Sequence, residues 1–116
     1  MARYTALFTI GITVEDLHTI LRKVLGNCSL EVIYDTPEYM MGREIPGKVP
    51  FPKLATVEVL IDRTNATDRE VRVQFVMKNE ELPLQVNNHC KQMFETLLLT
   101  ITNTDDWKVI ETVSGS

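Results

Sequence analysis

Apolar and polar residues alternate from residue 3 to residue 12. Tyr4, Ala6, Phe8, Ile10 and Ile12 fall on one side, and Thr5, Leu7 and Thr9 on the other. A period of two predicts a strand with one buried face. The period then becomes helical: Leu17, Ile20, Leu21, Val24 and Leu25 stand at i, i+3, i+4, i+7 and i+8, one apolar stripe. Thr13 is placed as N-cap with Asp16 three residues on, and Ile12 and Leu17 have hydrophobic-staple spacing. Arg22 and Lys23 suit the C-terminal end of the helix dipole. Gly26-Asn27 predicts the stop, glycine being the easiest residue to place in a left-handed C-cap.

Alternation returns over 29–35, with Leu30, Val32 and Tyr34 opposite Glu31, Ile33 and Asp35. Asp35-Thr36-Pro37-Glu38 reads as a turn. A weaker strand follows over 39–45, where Gly42 predicts a bulge or the close approach of another group. The strongest hairpin lies further on. Ala55, Val57, Val59 and Ile61 share one face, as do Val71, Val73, Phe75 and Met77. Pairing 61 with 71, 59 with 73 and 57 with 75 keeps them on one side of a sheet. That register sets Glu58 opposite Gln74 and Leu60 opposite Arg72 around a turn at 63–68.

Glu80, Glu81 and Pro83 suit the start of a second helix. Its apolar face carries Val86, Cys90, Met93, Phe94, Leu97, Leu98 and Ile101, and it is expected to run to about Thr102. Asn87, Asn88, Lys91, Gln92 and Glu95 mark its polar face. A last strand from Trp107 to Val113 and a frayed end at 114–116 complete the pattern.

The order is β-α-β-β, a proline stretch, then β-β-α-β. Short turns between strands imply an antiparallel sheet, and two amphipathic helices must cover its apolar face. The expectation is a single α+β domain over 1–116: two layers, an antiparallel sheet of five to six strands, and two helices on one face. The element order is similar to the β-α-β4-α pattern of the TATA-binding-protein-like and small helix-grip folds. The chain also resembles short uncharacterised proteins of cyanobacteria. In helix-grip architectures a pocket can lie between the second helix and the sheet. Here Tyr4, Tyr34, Met93 and Phe94 would line it and admit a small molecule.

Between the two halves lies Pro46-Gly47-Lys48-Val49-Pro50-Phe51-Pro52-Lys53. It is the one place where apolar residues occur without a period that buries them. Because the strands on both sides join one sheet, the stretch is expected to be an ordered crossover connection. Phe51, preceding a proline, is held extended, and a stiff loop presents a side chain at low ordering cost. Val49 and Phe51 must therefore cap the core or meet another molecule. With Met40 and Met41, whose thioethers adapt to irregular apolar surfaces, they are the candidate partner contacts.

Composition narrows the function. Of the 116 residues, the first 53 hold six basic and six acidic side chains, and the remainder six and ten, for a net charge of −4. No basic run is present to neutralise phosphates, so no nucleic-acid role is expected. No apolar run approaches membrane-span length. The first residues have no signal-peptide pattern, so Cys28 and Cys90 read as free thiols of a cytoplasmic protein. No nucleophile elbow, P-loop, dinucleotide fingerprint or zincin motif occurs, and no catalytic residue is assigned. Neither a metal nor a cofactor is implied: Cys28, His18 and His89 could form a metal site only if the fold converged them, and their spacing does not support it. His89 and the acidic pairs Glu15-Asp16, Glu80-Glu81 and Asp105-Asp106 read as solvated. Cys90 and Trp107 read as core. The function expected is non-enzymatic binding, as an adaptor or assembly protein that meets a protein partner or a second copy of itself. A small-ligand carrier or modest enzyme is the alternative.

Overall fold

A computed structural model of the chain describes residues 1–82 and 88–115. Its elements are β1 (Ala2–Gly11), α1 (Val14–Asn27), β2 (Leu30–Asp35), β3 (Tyr39–Glu44), a 3-10 turn (Phe51–Lys53), β4 (Thr56–Asp62), β5 (Val71–Asn79), α2 (His89–Asn103) and β6 (Lys108–Gly115). The strands form one six-stranded sheet in the order β2-β3-β4-β5-β1-β6. Every neighbouring pair is antiparallel. The domain is two-layer α+β, with both helices on one face. Pro83 at the expected start of the second helix, Val86 of its apolar face and Asn87 of its polar face lie outside the described residues, as does Ser116.

The first alternation builds an interior strand, between β5 and the edge strand β6. Ala2, Ala6, Phe8 and Ile10 of β1 are buried. Phe8 meets Phe75 edge-to-face, with ring centroids 5.6 Å apart, a favoured aromatic geometry. The Thr13 hydroxyl accepts a hydrogen bond from the Asp16 amide and opens α1, filling one of the unpaired donors of the first turn. Leu17, Leu21, Val24 and Leu25 face the sheet from α1; Cys90, Phe94, Leu97 and Ile101 do so from α2. Fully burying each large side chain of this kind contributes about 1.5–3 kcal/mol. The Trp107 indole donates to the Ile101 carbonyl at 2.9 Å, serving one of the orphan carbonyls at the end of α2.

Several local expectations are corrected. Gly26 stays inside α1, and the left-handed residue is Ser29, with φ of 62°. The turn is delayed so that Cys28 reaches the core and Ser29 accepts from the Ile45 amide. The β4–β5 register is displaced by two residues: Ile61 pairs with Val73, Val59 with Phe75 and Val57 with Met77. Val71 pairs instead with Ile10 of β1. A slip of two keeps every side chain on its face, so the hydrophobic pattern does not register it. Since β3 and β4 are hydrogen-bonded neighbours, the proline stretch is a long hairpin loop and not a crossover. Ser114 pairs with Ala6 and Gly115 with Thr5, so this part of the expected frayed end belongs to β6.

Gly42 answers to both readings given for it. The β2–β3 register shifts between Val32 and Tyr34, making Ile33 a bulge on the neighbouring strand. A Cβ at Gly42 would stand 3.1 Å from Val57 Cγ1 and 3.5 Å from Leu25 Cδ1. The glycine lets Leu25 of α1 come close to the sheet. Gly42→Val therefore overpacks this contact and should lower unfolding stability by about 1–3 kcal/mol, read as a reduced urea midpoint.

Candidate functional site

Alternation along β3 sends Met40, Gly42 and Glu44 to the helix-covered face. Glu44 is consequently buried, at 2% exposure. A carboxylate in that position requires donors. Its Oε1 accepts from the Ala55 amide at 2.9 Å, and His89 Nε2 lies 2.8 and 2.9 Å from its two oxygens. The Glu44 amide returns a bond to the Ala55 carbonyl. One side chain thus joins the entry and exit of the proline loop to the first residue of α2.

A second buried carboxylate lies beside it. Glu81, 5% exposed, accepts from Asn79 Nδ2 at 2.6 Å and from the amides of Cys90 at 2.9 Å and His89 at 3.2 Å. Asn79 Nδ2 also donates to the Lys53 carbonyl, and the Glu80 amide donates to that of Pro52. Asn88 is the N-cap of α2, its side chain accepting from the Lys91 amide. The expectation that Glu81 and His89 are solvated is therefore wrong. The Glu80-Glu81 pair precedes the described part of α2, and Glu81 folds back onto the helix's first amides.

The electrostatics follow from this packing. Burial acts to raise the Glu81 pKa, but the bonds from Asn79, Cys90 and His89, with Lys53 nearby, outweigh it and hold the carboxyl below its ordinary value. Cys90 responds in the opposite sense. Burial, then the negative charges of Glu81 and Glu44, push its thiol up to about 12. At neutral pH it is a protonated core thiol and not a nucleophile.

Above this cluster the loop turns outward. Gly47, at φ 126°, takes a backbone conformation open mainly to glycine. The Lys53 amide donates to Pro50 and the Leu54 amide to Phe51, closing the 3-10 turn. Phe51 at its head is 83% exposed, and it takes up the helical turn instead of the extended conformation expected before a proline. It borders a cleft of about 560 Å³ with Met1, Pro46, Pro52 and Leu54, while Arg43 and Lys78 stand at the wall. Of the four candidate contacts, Phe51 is fully presented, Val49 and Met41 are half-buried, and Met40 is wholly buried. Met40 is withdrawn as a contact, because adjacent residues of a strand face opposite ways and Met41 takes the outer side.

The other groupings expected from sequence do not assemble. Cys28 donates to Thr100, His18 bonds to Asp35, and His89 bonds to Glu44, so the three do not converge. Tyr4 stacks on Phe94 with centroids 5.6 Å apart, whereas Tyr34 is exposed on the opposite face of the sheet; the four proposed pocket residues are not brought together. Trp107 and Cys90 are buried, as expected. A feature that the alternation missed is created by the bulge at Ile33. It turns Asp35 toward α1, where its carboxylate meets His18 Nδ1 at 2.9 Å and the Arg22 guanidinium. Burial raises the Asp35 pKa, but the bonds from His18 and Arg22 prevail and lower it. His18 Nε2 faces the Pro37 carbonyl at 3.3 Å, so both ring nitrogens are engaged.

No family model matches the chain, and no curated protein matches it. Among solved structures, a conserved protein from Geobacillus kaustophilus is similar over 85% of this chain and 91% of its own, at 11% identity and a TM-score of 0.42. Among the described residues no helix is long and apolar enough to cross a membrane.

The pH dependence follows from Glu81. Its folded pKa lies below the ordinary 4.5. The stability it contributes is therefore present above that value and lost as pH falls through the folded pKa. Glu81→Gln should lower stability by about 2 kcal/mol at pH 7, and the gap from wild type should narrow as the pH is taken down through the acid range. Denaturant titrations across that range check the sign.

Proposed function

We propose that the chain is a non-enzymatic binding protein, an adaptor or assembly factor, whose point of contact with a protein partner is Phe51. The observation that carries this reading is a large apolar side chain 83% exposed on a turn whose backbone is tied down on both sides. Aromatic side chains are enriched among residues that dominate binding energy. A side chain presented on an ordered loop loses little further freedom on association.

The cleft beside the ring supports the same reading. Its volume of about 560 Å³ accommodates an apolar side chain of a partner, with Phe51 closing over one side. The buried carboxylates support it indirectly: each is occupied by structural donors, and the neighbouring thiol is held protonated.

Phe51→Ser tests this. Because the ring contacts little of its own fold, thermal stability should stay within about 0.5 kcal/mol of wild type. Affinity capture from the native host, followed by titration of the captured protein in purified form, should show binding weakened by about 30-fold or more, as for an interface hot spot. The same protein captured with equal affinity by wild type and variant would overturn the proposal.

A further inference from the structure

We draw no further inference here: the strongest candidate, the outer face of the sheet, where Leu60, Leu7 and Val113 stand exposed in one row of side chains across β4, β1 and β6, carries nothing because nothing in the structure shows what covers it.

Discussion

The buried carboxylate of Glu44 joins parts of the chain that are otherwise remote in sequence. Strand alternation obliges it to face the helices, and a carboxylate there is costly unless donors surround it. The donors come from Ala55, where the proline loop re-enters the sheet, and from His89, where α2 begins. Removing one member of such a buried pair typically costs about 3–5 kcal/mol, because the other is left uncompensated. The pair therefore specifies where α2 starts and how the loop is seated. Glu81 extends the arrangement by gathering the His89 and Cys90 amides, while Asn79 links it to the Lys53 carbonyl.

The presentation of Phe51 depends on that joint. Phe51 is presented by a loop whose two ends are held by Glu44 and by the end of β5. Without those anchors, a loop of this length would sample many conformations and lose freedom on binding. The same cluster silences the one cysteine that lies near charged groups. Burial, and then the two carboxylates beside it, raise the Cys90 pKa, so chemistry that needs a thiolate is disfavoured there.

The architecture was legible because it rests on local periods. Tyr4 to Ile10 alternate, Leu17 to Leu25 follow a helical stripe, and Thr13 marks the cap; each is confirmed in place. What escaped reading was non-local or insensitive to period. The β4–β5 register differs by two residues, a slip that moves no side chain across the sheet. Asp35 changes face because of a single bulged residue, Ile33. Glu81 and His89 looked solvated because charge near a helix start is favourable in water as well as in a buried cap. Nothing in the sequence between residues 44 and 89 announces that Glu44 and His89 meet. Of the candidate contacts, Phe51 is exposed, but on a 3-10 turn and not on the extended segment that its following proline implied. Met40 is buried, since two adjacent methionines cannot both face outward from one strand.

Native-state amide hydrogen exchange at Ala55 and Cys90 tests most directly whether the buried carboxylates unite the loop and α2. The first amide donates to Glu44 and the second to Glu81, on segments far apart in sequence. The account predicts that both exchange through one opening of the same free energy, and that His89→Ala lowers the protection of both together. Independent openings, with Ala55 protection unchanged when that of Cys90 falls, would contradict it.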